Sequence, residues 1–195
     1  MFQIKNKIKE KYGENIGNKI IKDSYIRFEE ICKENIDEDK AMYSHTRKSI
    51  YPAISVFDSL LKNNIVRAEA IQFIIDFCEF RGKKNAKIVK RILKFPGMYK
   101  RFPKIFGNTA KKKFGVKQNF KTTFYEVSNK KVSFDMTKCP YNDIMKKYNC
   151  PEITVAFCRI DDVIYSDMHK KLKWHRTKTL GGGDECCNFN ITCVK

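Results

Sequence analysis

The last quarter of the chain, residues 139–194, holds most of the side chains that could carry out chemistry. Six of the eight cysteines lie there, together with two of the three histidines, the single tryptophan and a run of three glycines. A cysteine thiolate attacks electrophilic carbon, and a neighbouring base or cation makes the thiolate easier to form. We therefore expect any catalytic or binding site to lie in this segment.

Two of these cysteines have neighbours that suit a nucleophile. Cys158 precedes Asp161 and Asp162 by three and four residues, so on a helix the thiol and a carboxylate share one face. Cys187 follows the glycine run, where backbone N–H groups can stabilise a developing anion. The alternative for each of these two cysteines is that it packs as a small buried hydrophobic residue. We assign that role to the cysteines inside apolar runs, Cys32, Cys78 and Cys193.

The spacing of the cysteines disfavours a metal site. Structural zinc sites usually draw on close cysteine pairs with fixed spacing. Cys186 and Cys187 are adjacent, and no two cysteines are separated by two residues. We therefore expect no metal and no other cofactor.

Arg176 is a candidate for binding a carboxylate. It lies on the inward-facing side of a segment in which apolar and polar residues alternate, together with Leu172 and Trp174. A buried arginine requires a carboxylate partner, which either the protein or a substrate supplies. Both alternatives stay open. The candidate partners within the protein are Asp161, Asp162 and Asp184.

The elements before residue 119 are predicted to be helical. Apolar residues recur every three to four positions through residues 1–35 and again through 65–81, which is typical of helices that pack on one another. Gly82 is expected to end the second of these helices, since glycine is frequent just beyond a helix C-terminus. Residues 1–118 thus form a helical part.

From residue 119 onwards, apolar residues recur at every second position instead of every third or fourth. Residues 120–136 and 171–194 each alternate around a turn, which predicts two β-hairpins. Pro140 and Pro151 are expected to start short helices between them, because proline suits the first helical turn. The sequence therefore predicts an α+β fold with a helical N-terminal half and an antiparallel sheet of about four strands, packed with one or two helices. We expect one domain, residues 1–195.

The net charge of +18 is concentrated between residues 81 and 131. This basic segment contains 17 Lys and Arg residues and one acid, Glu126. Its charge suits weak contact with an anionic surface. Alternatively, the segment presents a charged face that contacts only solvent. No motif supports specific binding of nucleic acid. The charged N-terminus lacks a signal-peptide pattern, and no apolar run is long enough to cross a membrane, which predicts a cytoplasmic protein without a transmembrane segment.

A combination of short motifs covers about the last sixty residues. Its members are Cys139-Pro140-Tyr141, Pro151-Glu152, Cys158 with Asp161 or Asp162, Arg176-Thr177-x-Thr179-Leu180-x-Gly182 and Cys187-x-Phe189. This combination resembles that of the L-2-amino-thiazoline-4-carboxylic acid hydrolase family. The chain departs from the family pattern at Asn188, where we expect an acid between the cysteine and the phenylalanine.

The resemblance implies hydrolytic opening of an amidine-like C–N bond in a small carboxylated thiazoline, giving N-carbamoyl-L-cysteine. The attacking group is a cysteine thiolate or a water molecule activated by Asp161 or Asp162, with Cys158 and Cys187 as candidate thiols. Arg176 would hold the substrate carboxylate with two hydrogen bonds. The expected substrate-binding residues are Arg176, Thr177, Thr179, Gly182 and His169.

Two other functions stay open. The first is a sensor domain on the same scaffold, which would bind a small ligand without consuming it. The second is a protein that binds an anionic membrane or nucleic acid through residues 81–131. The partner expected under the leading hypothesis is a small-molecule carboxylate substrate.

Overall fold

A computed structural model describes residues 2–194, and within this range the chain forms six α-helices and four β-strands. Met1 and Lys195, the ends of the predicted domain, lie outside the described residues. The helices are α1 (Phe2–Glu34), α2 (Tyr51–Lys62), α3 (Arg67–Leu93), α4 (Met98–Lys113), α5 (Pro140–Lys147) and α6 (Thr154–Tyr165). The strands are β1 (Lys121–Val127), β2 (Lys131–Lys138), β3 (Leu172–His175) and β4 (Cys187–Cys193). This order confirms the predicted α+β fold.

Helix α1 is a hairpin of two helical arms. Gly13 has φ 76° and ψ 170°, a backbone conformation that glycine adopts more easily than other residues. The chain reverses there, so that a Cβ atom on Gly17 would lie 3.1 Å from the Cα of Lys9. Eight residues of continuous helix would instead separate two Cα atoms by about 12 Å. The first arm therefore lies against the second.

Helix α3 is longer than the sequence predicts. Gly82 does not end it, because the helix continues to Leu93 and Gly82 lies buried in its middle. A Cβ atom on Gly82 would come within 3.0 Å of Cγ1 of Val163. The glycine thus lets α3 approach α6 closely, and this contact between distant segments, rather than a helix end, explains the residue. Pro96 and Gly97 lie between α3 and α4.

The four strands form one antiparallel sheet in the order β1-β2-β4-β3. Phe134 on β2 pairs with Phe124 on one side and Phe189 on the other, which places an aromatic row across the sheet. Strand β4 begins at Cys187, opposite Met136 of β2. The register therefore fixes the position of the Cys187 thiol at the end of a central strand.

Two hydrophobic cores meet along α5 and α6. The helical core is centred on α2, whose Phe57 and Leu60 are almost fully buried. The sheet core is centred on Phe134 and Ile191. Tyr141 on α5 packs against both cores. Across residues 2–194, no helix combines the length and apolarity needed to span a bilayer.

Substitution of Gly107 by alanine is expected to destabilise the protein. A Cβ atom there would lie 2.7 Å from Val127 Cγ1 and 2.9 Å from Val132 Cγ2, where α4 packs on the first hairpin. Overpacking of this kind costs about 1–3 kcal/mol, which exceeds the gain of up to about 1 kcal/mol in helix propensity. Urea unfolding measures the difference. Asn108→Ala, on the exposed side of α4, is the control and should leave stability unchanged or raise it. Equal stability of the two variants would contradict the packing.

Candidate functional site

A cavity of about 210 Å³ lies between the helical core and the sheet core. We call it the thiol cavity. Residues from both the helical part and the sheet line it, among them Arg81, Tyr141, Cys158, Asp161, Arg176 and Cys187. Its volume lies below the usual range for drug-sized ligands, roughly 300–1,000 Å³, and therefore suits a small ring.

Cys158 and Cys187 both line the thiol cavity, where each thiol alters the acidity of the other. The pKa of the Cys158 thiol is lowered, first by the hydrogen bond from Cys187 and then by the Arg176 cation and the Gly181 N–H. Burial and the Asp161 charge act in the opposite direction. The pKa of Cys187 is raised by the same thiol–thiol hydrogen bond and by burial. Cys158 is therefore the more easily deprotonated thiol of the pair, and Cys187 is the one that retains its proton.

Backbone groups from the loop before β4 complete the surroundings of the two thiols. The N–H of Leu180 donates a hydrogen bond to Sγ of Cys187 at 3.2 Å. A Cβ atom on Gly181 would come within 2.9 Å of the Cys158 sulfur. Glycine at this position thus lets the loop lie directly against the thiol, with room for no larger residue.

Asp161 supplies a carboxylate with an altered acidity. Burial raises its pKa to about 6, against the opposing effect of the Arg176 cation, while the nearby Asp162 raises it further. A third of the side chain nevertheless remains exposed. Such a group is mostly ionised at neutral pH and can accept a proton from water or a thiol.

Arg176 holds both carboxylates of α6. Its side chain is 2% exposed, and Nη1 donates to Asp161 at 3.1 Å while Nη2 donates to Asp162 at 2.7 Å. Nη2 also donates to the backbone carbonyl of Cys158 at 2.5 Å. Of the two alternatives for this arginine, pairing within the protein is therefore present. Arg176 still lines the thiol cavity.

Aromatic residues surround the same guanidinium. Its central carbon lies 5.5 Å from the ring centroid of Trp174 and 5.4 Å from that of Phe189. The indole N–H of Trp174 donates to Asp162 at 2.9 Å. Arg176 and Asp162 are thus fixed by groups on β3 and β4, which explains the inward position of Arg176 after Leu172 and Trp174.

Thr177, Thr179 and Gly182 shape the loop and do not line the thiol cavity. The side chain of Asn188 accepts from the Thr177 N–H at 2.9 Å and donates to the Thr177 hydroxyl at 2.9 Å. Asn188 stands where the family pattern leads us to expect an acid, and an ionised acid could not make this donation. The Thr179 hydroxyl accepts from the N–H of Gly182 at 3.1 Å.

His169 lies away from the other candidates. Its ring stacks on Tyr99 with 4.9 Å between centroids, and Nδ1 accepts from the Lys171 N–H at 3.1 Å. The structure therefore brings Cys158, Cys187, Asp161 and Arg176 together at one cavity. Asp162 contacts this group through Arg176, and the remaining candidates do not line the cavity.

Tyr141 and His45 form a pair that the sequence interpretation missed. His45 Nε2 lies 3.0 Å from the carbonyl of Lys113, which can only accept, so Nε2 carries the proton. Nδ1 then accepts from the Tyr141 hydroxyl at 3.2 Å. Burial lowers the pKa of His45, which favours this neutral form. Tyr141 belongs to the Cys139-Pro140-Tyr141 motif, so its place at the cavity had a sequence signal, whereas His45 had none.

Arg81 is the second residue at the cavity that the sequence interpretation missed. It lines the thiol cavity and forms no salt bridge with any residue between 2 and 194. Its sequence position at the start of the basic segment hid it among many surface cations. Arg81 is therefore available to an anionic group of a ligand.

A third thiol, that of Cys139, also lines the cavity, and burial raises its pKa to about 12. This thiol is therefore neutral at physiological pH. Over the described part of the chain, no three His, Cys, Asp or Glu side chains are grouped so that they could hold a metal ion.

Comparison with known proteins gives a family assignment. The family model described as L-2-amino-thiazoline-4-carboxylic acid hydrolase matches residues 43–191. The matched range contains helices α2 to α6, most of the sheet and every residue named above at the thiol cavity. No curated protein and no solved structure matches the chain.

Proposed function

The chain belongs to the L-2-amino-thiazoline-4-carboxylic acid hydrolase family, and we propose that it hydrolyses a small cyclic amidine-like carboxylate of the thiazoline type. The observation that carries this proposal is the pair of unlike thiols, Cys158 and Cys187, beside Asp161 in a cavity of about 210 Å³. A thiolate, a proton donor and a base are the three groups that a hydrolysis through a covalent intermediate uses.

The balance of atoms decides which bond breaks. The reactive carbon of a 2-amino-thiazoline is bonded to the ring nitrogen, the amino nitrogen and the ring sulfur. An N-carbamoyl product retains both carbon–nitrogen bonds, so water must replace the ring sulfur. The C–N cleavage expected from the resemblance would instead give an S-carbamoyl product. For an N-carbamoyl product we therefore propose cleavage of the carbon–sulfur bond.

In the proposed mechanism the Cys158 thiolate adds to the reactive carbon, and the ring carbon–sulfur bond breaks. The leaving sulfur takes a proton from the Cys187 thiol, which gives an isothiourea linked to Cys158. Asp161 then accepts a proton from water, which attacks the same carbon. The bond to Cys158 breaks as the remaining water proton moves to the former ring nitrogen, and the N-carbamoyl thiol leaves. Asp161 then returns its proton to Cys187. The net reaction consumes one water molecule and restores the thiol pair.

The alternative mechanism takes place in the same cavity but has no covalent intermediate. Asp161 would activate water for direct attack, and the thiols would only line the cavity. Trapping the reaction by acid and analysing the protein by mass spectrometry separates the two mechanisms. An adduct on Cys158 supports the thiolate mechanism, whereas product formation without any adduct favours activated water.

For the carboxylate of the substrate we propose Arg81 as the partner. The donors of Arg176 already contact Asp161, Asp162 and the Cys158 carbonyl, so its role is to position Asp161 and to favour the Cys158 thiolate. Arg81 has no such protein partner among residues 2–194. Arg81→Gln is therefore expected to raise KM more than it lowers kcat.

The pH dependence of the reaction follows from Asp161. Because its pKa is raised to about 6, kcat/KM is expected to fall as the pH drops through about 6, where the base becomes protonated. The same shift acts on stability with the opposite sign. A carboxyl whose pKa is higher in the folded state than in the unfolded state favours folding at low pH, and this contribution disappears as the pH rises through about 6.

A pH–rate profile checks the predicted fall in kcat/KM, and urea unfolding at several pH values checks the predicted change in stability. Asp161→Asn should remove the inflection near pH 6 from both measurements. An inflection that persists in this variant would assign the titration to another group.

The proposed activity is tested with 2-amino-thiazoline-4-carboxylate in ¹⁸O-labelled water. Mass spectrometry should show an N-carbamoyl product that contains one labelled oxygen. Titration calorimetry on the same sample distinguishes the alternatives. Binding without any product would identify a small-ligand sensor, and neither binding nor product would remove the thiazoline class of substrate.

A second proposal concerns the basic segment, residues 81–131. The exposed apolar side chains of Ile88, Ile92, Phe95 and Ile105 lie among its Lys and Arg residues, which is typical of a surface that rests on an anionic bilayer. Cosedimentation with vesicles rich in phosphatidylserine, at low and high salt, is the test. Equal recovery on neutral vesicles would contradict this proposal.

A further inference from the structure

A second and larger cavity lies among α1, α2 and α3. Its volume is about 570 Å³, and we call it the hairpin cavity because both arms of α1 contribute to it. The first arm supplies Ile4 and Ile8, and the second arm supplies Ile21. Helix α1 precedes the range that matches the family, so this cavity depends on a part of the chain outside the family pattern.

The walls of the hairpin cavity are mostly aliphatic and aromatic, whereas its charged residues are all cationic. Val56 of α2 and Ile74 of α3 complete the apolar wall. The charged residues that line the cavity are Lys5, Arg47, Lys48 and Arg81, and no acid is among them. None of the four forms a salt bridge with another described residue. The cavity therefore combines an apolar interior with uncompensated positive charge.

Arg47 adds an unsatisfied donor to this arrangement. Its Nε atom is buried and has no hydrogen-bond partner within residues 2–194. The guanidinium carbon lies 3.9 Å from the ring centroid of Tyr43, which holds the side chain in place. A buried donor on a charged group without an acceptor is unfavourable. Because Nε has no accessible surface, an anionic ligand in the cavity would be bound by the outer nitrogens of the Arg47 guanidinium.

We propose that the hairpin cavity binds a single-chain aliphatic carboxylate, with its carboxylate at Arg47 and its chain along the apolar wall. The bidentate geometry of a guanidinium suits a carboxylate, and the aliphatic side chains suit an unbranched hydrocarbon chain. The volume falls within the range of ligand cavities, roughly 300–1,000 Å³.

The hairpin cavity adjoins the thiol cavity, because Ser49, Arg81 and Phe157 line both. The proposed ligand does not need the thiols, since neither Cys158 nor Cys187 lines the hairpin cavity. Binding in this cavity therefore does not depend on the proposed hydrolysis.

Titration calorimetry of the full chain with dodecanoate, below its micellar concentration, tests the proposal. Dodecanoate should bind, whereas butyrate, which lacks the long chain, and dodecyltrimethylammonium, which carries the opposite charge, should not. Arg47→Gln is expected to weaken dodecanoate binding about tenfold or more, because it removes a charged hydrogen-bond donor. Ala53→Leu, which places a larger side chain at the cavity wall, should also weaken it while circular dichroism shows a retained fold.

Two controls distinguish binding in the hairpin cavity from binding to the basic surface or to the thiol cavity. Lys112→Gln removes one exposed charge from the basic segment and should leave dodecanoate binding unchanged. Cys158→Ser should also leave it unchanged, whatever happens to turnover. The proposal is overturned if dodecanoate does not bind, if the cationic amphiphile binds equally well, or if Lys112→Gln weakens binding as much as Arg47→Gln.

Discussion

Cys158→Ser is expected to reduce kcat of thiazoline opening by roughly 10³-fold or more, with a retained fold. A serine hydroxyl stays protonated near neutral pH, and the hydrogen bond from Cys187 and the Arg176 cation cannot make it a comparable nucleophile. A steady-state assay of N-carbamoyl product measures the effect, and circular dichroism with urea unfolding establishes that the variant is folded.

The matched control for this substitution is Cys193→Ser. Cys193 is partly buried on β4, and its thiol contacts the backbone carbonyls of Tyr99 and Asn129, which a serine hydroxyl can also do. This variant should retain turnover. Full activity in both Cys158→Ser and Cys187→Ser would exclude the thiol mechanism and leave water activated by Asp161.

Arg176→Met is expected to destabilise the protein by about 3 kcal/mol, the low end for a disrupted buried ion pair because both carboxylates are partly exposed. The methionine fills part of the space between Trp174 and Phe189 but leaves Asp161 and Asp162 without their cation. Urea unfolding at pH 7 measures the loss. The rate of iodoacetamide alkylation against pH should also show a higher pKa for Cys158.

Lys178→Met is the control for the loss of a cation in the same loop. Lys178 pairs with Glu185 on the protein surface, and exposed pairs of this kind contribute little to stability. Its unfolding midpoint should match that of the wild type. If Arg176→Met has the same midpoint as Lys178→Met, the buried cluster does not contribute to stability as we infer.

The sequence is sufficient for elements that depend on local periodicity. The amphipathic helices and both hairpins follow from spacings of three to four and of two residues, which a single segment records by itself. Alternation also places Arg176 on the inward side and indicates carboxylate partners on α6. The prediction for Gly82 is wrong because a glycine at a helix end and a glycine at a close helix contact look alike in one segment, and only Val163 of α6 distinguishes them.

The missing parts of the candidate site depend on long-range contacts. Tyr141 meets His45 across 96 residues, and no local pattern marks that distance. Arg81 is hidden for another reason, since it is itself exposed and a charge count over 51 residues does not show which exposed cation lines the thiol cavity. The sequence predicts only part of the thiol pair. It shows the neighbours of each cysteine, but not that α6 and β4 bring the two thiols together.

The position of the thiol cavity between two cores bears on when the candidate site forms during folding. Helices α1 and α2, which are neighbours in the chain, pack on each other in the helical core, whereas the thiol cavity joins Arg81, Tyr141, Cys158 and Cys187 from four separate stretches. Contacts between residues far apart in the chain form slowly, since a large loop must first be closed. During refolding from urea, helical circular dichroism should therefore recover before turnover. The pair of Cys158 and Cys187 would form only after the helical part and the sheet have packed together. A partly folded chain would therefore not expose an activated thiol.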